Sequence, residues 1–280
     1  MNHLKLTFFI LLICSNAFSQ KEVELNNKGI EFAKSGKFDK AFDYFTQAIM
    51  TNPNFSNAYS NRGNIFRMRK KYDLAIRDYS KSLDLNPENL GVVYSRANTF
   101  LEKQDFKNAI KDYSTIINKN PSFDDIYFDR GYANIRLENY SEAKTDMESQ
   151  LKINPNDFKS LANLINIKTK LKLFEEALAD YEKIIVEYPD QPNLHIVYSN
   201  RANLYQDIND FQKALSDINI ALEINNSYDI GFLNRAGINL KLENTEQACK
   251  DFKKACELGV EKNDHFKVDE DFKKLKKNCG

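Results

Sequence analysis

Two recurring sets of polar side chains carry the chemistry available to this 280-residue chain. The first pairs an arginine with an aspartate sixteen residues later: Arg62 with Asp78, Arg96 with Asp112, Arg130 with Asp146, Arg201 with Asp217 and Arg235 with Asp251. A guanidinium and a carboxylate at a fixed separation form a charge-assisted pair, and its regular recurrence suits a device that sets register better than one that holds a ligand. The second set is asparagine. Asn27, Asn61, Asn163, Asn200 and Asn234 form one series, and Asn64, Asn98, Asn166 and Asn203 form another offset from it by three positions. Residues three apart share a helix face. An amide carries a donor and an acceptor, so a row of asparagines can pair with the N–H and C=O of an extended chain without demanding particular side chains. Asparagine also bonds its own backbone, and a merely hydrated row is the competing interpretation. Arg67, Tyr94, Phe128, Tyr132 and Arg136 accompany the row as candidate anchors.

Parts for catalysis are missing. The three histidines, His3, His195 and His265, match no zinc-site spacing with cysteine. The neighbouring carboxylates Asp124 and Asp125, and Glu175 and Glu176, sit among solvated charges, and no glycine-rich phosphate loop is present. The sequence therefore predicts no enzyme, no metal and no cofactor. Lysine plus arginine equals aspartate plus glutamate at 40 each. That balance removes the bulk attraction that draws proteins to nucleic acid or anionic membranes. The expected partner is a protein or extended peptide, with no nucleic acid and no membrane span; the oligomeric state stays open.

The elements that hold these residues follow from a repeat. Alanine recurs at Ala41, Ala75, Ala109, Ala143, Ala177, Ala214 and Ala248, in steps of 34 with a single step of 37. Twelve residues upstream of these stand Gly29, Gly63, Ala97, Gly131, Ala202 and Ala236, with Ile165 as the exception. Twelve downstream stand Pro53, Pro87, Pro121, Pro155 and Pro189, five of the 6 prolines. Apolar residues spaced by three and four in both halves of each unit give two amphipathic helices, with a break such as Gly36–Lys37 between them. The units run 22–55, 56–89, 90–123, 124–157, 158–191, 195–228 and 229–262, with a capping segment at 263–280. One hairpin cannot bury both apolar stripes, so neighbours must stack.

In the unit beginning at Ser56, Gly63 is followed by Phe66, Tyr72, Ala75, Tyr79 and a closing Pro87. That pattern, with its 34-residue step, resembles the tetratricopeptide repeat, and the resemblance covers about Glu22 to Lys262. It implies an all-α fold: an α-solenoid, a right-handed superhelix of seven helical hairpins plus a C-terminal capping helix, with a concave groove lined by the first helix of each pair. The asparagine rows are then similar to the asparagine ladders of peptide-binding members. The carboxylate clamp of chaperone-binding members is not matched, because Ser60, Ser95, Asp125 and Asp129 stand in its places. Irregularity is expected in the fourth unit, where Asn134 replaces an aromatic residue. It is expected most in the fifth, where Ile165 and Lys168 replace the small and aromatic residues and Asp180 keeps no arginine.

The two ends read differently. Residues 1–19 combine Lys5, an apolar run from Leu6 to Ile13, and small residues at Ala17 and Ser19, which predicts a signal peptide and export to the periplasm or beyond. A lipid anchor through Cys14 is the alternative, although Ile13 is not the small residue a lipobox places there. The run is shorter than the roughly 20 residues a membrane-spanning helix needs. Processing would leave Cys249, Cys256 and Cys279. If the terminal segment folds back antiparallel, Cys279 comes near the start of the last long helix, so a Cys249–Cys279 disulfide is expected in an oxidising compartment. The expected function is an exported scaffold that binds an extended peptide or partner protein in an Asn-lined groove. The alternative is a structural or assembly component of an envelope complex that acts through convex faces and edges.

Overall fold

The computed structural model describes residues 20–190, 192–260 and 270–279. The expected signal segment, with Cys14, lies outside the described residues. Among the described residues all regular structure is helical. In chain order the helices are α1 (20–34), α2 (Phe38–Thr51), α3 (Ser56–Met68), α4 (Tyr72–Leu85), α5 (Leu90–Glu102), α6 (Phe106–Lys119), α7 (Ile126–Arg136) and α8 (Tyr140–Ile153). They continue as α9 (Phe158–Lys170), α10 (Phe174–Glu187), α11 (Leu194–Asp207), α12 (Phe211–Ile224), α13 (Asp229–Lys241), α14 (Thr245–Leu258) and α15 (Glu270–Cys279). The chain divides into two compact units, 1–160 and 161–280, and each is a solenoid stack of helical hairpins.

The turn between the two helices of a pair has one design throughout. Its middle residue is left-handed in all seven pairs: Gly36, Lys70, Gln104, Glu138, Lys172, Asn209 and Glu243, with φ between 56° and 74°. The residue after it closes the helix by donating its N–H five residues back, as Lys71 does to Phe66 at 2.9 Å and Asp105 to Phe100 at 2.8 Å. This is the Schellman arrangement that satisfies the last carbonyls of a helix. Glycine occupies the left-handed position only in the first pair, although a side chain there costs ~1 kcal/mol. The break expected from Gly36 is thus a general feature that the other six pairs build without glycine.

In unit 1 the core runs through Phe66, Ala75, Tyr79, Val92, Val93, Ala97, Ala109, Tyr113, Ile116 and Ile126. The seven recurring alanines are all fully buried, because each sits where two helices of a pair cross closely. Gly29 and Gly63 serve the same approach from the first helix. A Cβ at Gly29 would stand 2.5 Å from the Phe45 ring, and one at Gly63 2.9 Å from the Tyr79 ring.

In unit 2 the last hairpin is closed by α15. Leu275 is fully buried against Leu233, Ala236, Ala248, Phe252, Ala255 and Val260. Cys249 and Cys279 are joined by a disulfide with Cα atoms 5.0 Å apart, and Cys256 stays outside it. The fifth hairpin, expected to be the least regular, has helices of 13 and 14 residues like its neighbours. The division between the two units nonetheless falls inside α9, the helix in which Ile165 replaces the small residue.

Candidate functional site

The arginine–aspartate pairs span the two helices of a hairpin. Arg62, Arg96, Arg201 and Arg235 each grip their aspartate through Nε and Nη2 at 2.7–3.0 Å. Arg130 holds Asp146 in the same way, with Nη2 at 2.6 Å. The remaining nitrogen, Nη1, reaches the preceding hairpin in three cases, from Arg96 to Ser80, Arg130 to Ser114 and Arg235 to Asn219, at 2.9–3.0 Å. All five aspartates are buried. A buried, doubly bonded pair that also ties neighbours together orients the stack and leaves no free charge for a ligand.

Aromatic rings flank several of these guanidiniums: Tyr59 and Phe66 beside Arg62, and Tyr198 and Tyr205 beside Arg201. Where a hairpin lacks the second ring, a polar group takes its place and turns to the aspartate. Asn134 donates to Asp146 at 3.1 Å, and Asn239 donates to Asp251 at 3.4 Å. Lys168, only 7% exposed, reaches Asp180 at 2.6 Å. The fifth hairpin therefore retains an ion pair, supplied one turn further along α9 than the arginine would have been. Sequence reading missed this because it sought the cation at the arginine position alone.

The asparagines divide by what surrounds them. Two of the first series link successive hairpins: Asn61 donates to Asn26 at 2.9 Å, and Asn234 donates to Ser199 at 3.1 Å. The equivalent place in α7 holds Asp129, which accepts from the Tyr94 hydroxyl at 2.8 Å. Burial raises the Asp129 pKa, and nearby Asp125 adds to the effect, against the lowering by Tyr94. Burial likewise pushes Tyr94 up to about 12. Asn27 and Asn200 are exposed, and Asn163 is half-buried. Asn26 went unnoticed in the sequence because the series was followed at one position only.

In the second series, Asn64 accepts from Tyr79 and Asn98 accepts from Tyr113, both at 2.6 Å. Asn166 and Asn203 in unit 2 are exposed, and Asn203 accepts from Gln206 on its own helix at 3.2 Å. Of the candidate anchors in unit 1, Arg67 lies 3.4 Å from Glu102, and Tyr94 packs on Tyr113 and Phe123. Arg136 lies 4.9 Å from the Phe106 ring centre and donates to Tyr132, while Phe128 is half-buried. A cleft of unit 1 opens instead at the hairpin turns, lined by Gly36, Phe38, Ile65 and Met68, and no member of the asparagine rows borders it. Among the described residues no cluster of His, Cys, Asp and Glu is arranged to hold a metal ion, and no helix is long and apolar enough to cross a membrane.

Stacked helical hairpins with an interior ion-pair ladder and a polar first-helix face define a repeat scaffold for protein interaction. Tetratricopeptide repeat family models match residues 56–89, 25–55 and 124–157. These three segments are tetratricopeptide repeats. A solved tetratricopeptide repeat protein from Parabacteroides merdae is similar, with a TM-score of 0.59 and 25% identity, over 93% of this chain and 99% of that one. The C-terminal part of a repeat-containing protein from Cytophaga hutchinsonii has the same fold, with a TM-score of 0.72 and 17% identity, over 91% and 99% of the two chains. The yeast (Saccharomyces cerevisiae) Heat shock protein STI1 is 35% identical over 85 residues, which is 28% of this chain and 14% of that protein.

Proposed function

We propose that this chain is an exported scaffold whose first-helix faces bind an extended peptide, either free or as a segment of a partner protein. The observation that carries the reading is the amide row: Asn64 and Asn98 stand at equivalent places on successive first helices with their oxygens held by Tyr79 and Tyr113, Asn166 and Asn203 are exposed at the same places of later first helices, and Asn27 and Asn200 are exposed three residues before that place. Such groups pair with main-chain atoms and leave the ligand's side chains to the aromatic anchors. Export is supported by the composition of residues 1–19 and suits a chain with a Cys249–Cys279 disulfide.

A peptide-display selection against the mature chain tests the binding reading. Enriched peptides are expected to lose most of their affinity when Asn27, Asn64, Asn98, Asn166, Asn200 and Asn203 are changed together to alanine. Affinity indifferent to those changes would overturn it. N-terminal sequencing of the native protein is expected to start at Gln20; a mature chain retaining Met1 would remove the export reading.

A further inference from the structure

The two amides of unit 1 are polarised by the residues beneath them. Tyr79 and Tyr113 are fully buried, and burial pushes the Tyr79 hydroxyl up to about 12 and raises that of Tyr113 further, so both stay protonated donors. Each hydroxyl donates to an asparagine oxygen at 2.6 Å, which turns Oδ1 of Asn64 and Asn98 toward the stack. The planar amide then directs Nδ2 away from the tyrosine. These two side chains therefore have their acceptors engaged and offer donors, of which Asn98 spends one on the Tyr94 oxygen and keeps the other. Arg67 adds further donors one turn along α3 from Asn64, beside Glu102 of α5.

Spacing selects among extended ligands. Helices α3 and α5 touch, so their axes lie about 8–10 Å apart, and Asn64 and Asn98 occupy equivalent places on them. A β-strand returns a carbonyl to the same side every two residues, about 6.6–6.8 Å. A polyproline II segment does so every three residues, about 9.3 Å. The second distance matches the helix spacing, and the first falls short of it. Polyproline II also makes no internal hydrogen bonds, so its carbonyls are free to accept. Proline has no N–H, so a proline-rich chain brings acceptors to donor-only amides and has little need of acceptors in return. On the same face, four residues from Asn98 and at the equivalent places of α7, stand Tyr94, Phe128 and Tyr132. Aromatic surfaces of this kind suit pyrrolidine rings.

We propose that the α3–α5–α7 face of unit 1 takes a proline-rich segment in the polyproline II conformation, with carbonyl oxygens on Asn64 and Asn98 and rings against Tyr94, Phe128 and Tyr132. The proposal rests on the peptide-binding reading above and names the ligand class for one part of that face. Tyr79 and Tyr113 act as positioning residues, because they touch the asparagines and not the ligand.

The test uses the mature full-length chain with fluorescein-labelled decaproline and a length-matched glycine–serine peptide, read by anisotropy. Decaproline is expected to bind at least about tenfold tighter than the glycine–serine peptide, and the Asn64→Ala/Asn98→Ala variant to weaken it by about tenfold, the equivalent of two modest hydrogen bonds. The Lys81→Ala/Lys111→Ala variant, at exposed positions of the second helices α4 and α6, is expected to leave that affinity unchanged. Tyr79→Phe/Tyr113→Phe frees the amides to turn, and should lower decaproline affinity while sparing the glycine–serine peptide; a purely structural loss would lower both alike. Equal affinity for the two peptides, or decaproline binding indifferent to Asn64 and Asn98, overturns the proline-rich assignment. If display-selected peptides of other composition still depend on the asparagines in that case, the peptide-binding reading survives. If no selected peptide does, both fall.

Discussion

Units 1 and 2 are assembled from the same hairpin, yet they connect core to surface by different means. In unit 1, the second helices place Tyr79 and Tyr113 at the inner contact, and their hydroxyls reach through to Asn64 and Asn98. In unit 2, Ile218 and Phe252 hold the corresponding places of the last two hairpins and have no hydroxyl to send outward. Asn203 turns to Gln206, and Gly237 stands where a further asparagine would be. Tyr181 keeps a hydroxyl, but no bond joins it to Asn166 among the described residues, and burial pushes it up to about 12. Unit 2 is instead fastened covalently at its end, through Cys249 and Cys279. The residue type at one buried position of the second helix thus decides whether a surface amide on the first helix is aimed or free.

The strongest way to break this comparison is through the ion-pair ladder. Arg130 binds Asp146 and Ser114, and Asp146 also accepts from Asn134, whereas Arg201 of unit 2 binds Asp217 alone among its charged and hydroxyl neighbours. Arg130→Ala is expected to cost about 3–5 kcal/mol, because it strands a buried carboxylate. Arg201→Ala should cost less in the same urea titration, and an equal cost would show that the extra bonds contribute nothing.

Reducing the Cys249–Cys279 disulfide should destabilise unit 2 by about 3.6 kcal/mol, the value a loop closed across 30 positions gives in the chain-entropy account. Hydrogen exchange in α3–α6 should be unaffected by the same treatment, so protection lost equally in both units would erase the distinction. At the level of one hydrogen bond, Tyr113→Phe is expected to cost about 1 kcal/mol by removing the partner of Asn98. Tyr181→Phe should be close to neutral in the same thermal melts.

The smallest effect belongs to Asp129. Its folded pKa is raised by burial and by Asp125, so its ionised form is disfavoured in the folded chain. The sign follows: the carboxylate weakens the fold above its raised pKa, and this penalty disappears as pH falls through it. Asp129→Asn keeps an oxygen for Tyr94 and is expected to raise the melting temperature at pH 7 by ~1–2 °C. The difference should vanish near pH 3, below the ordinary aspartate value of about 3.9. A gain that persists there would mean that packing, and not charge, is responsible.

Much of the architecture was legible because it is local or strictly periodic. The recurring alanines locate the hairpin crossings, and the sixteen-residue interval locates the ion pairs, since both partners belong to one hairpin. The turns were only partly legible. Gly36 announces itself, whereas Lys70, Gln104 and Glu138 adopt the same left-handed conformation with residue types that give no such signal. Those residues accept the strain because the Schellman hydrogen bonds and the packing of both helices leave the chain no other path.

The sequence by itself determined that this protein is a stack of helical hairpins, that arginine and aspartate tie five of the hairpins together, and that asparagines share one face of the first helices. Only the tertiary structure decided how those asparagines are used. Asn61 bonds Asn26 across 35 positions, Asn64 accepts a hydrogen bond from Tyr79, and Lys168 supplies a cation that no arginine marks. The physical reason is that periodicity specifies a face, while the direction of an amide is set by whichever donor another helix brings within hydrogen-bonding distance.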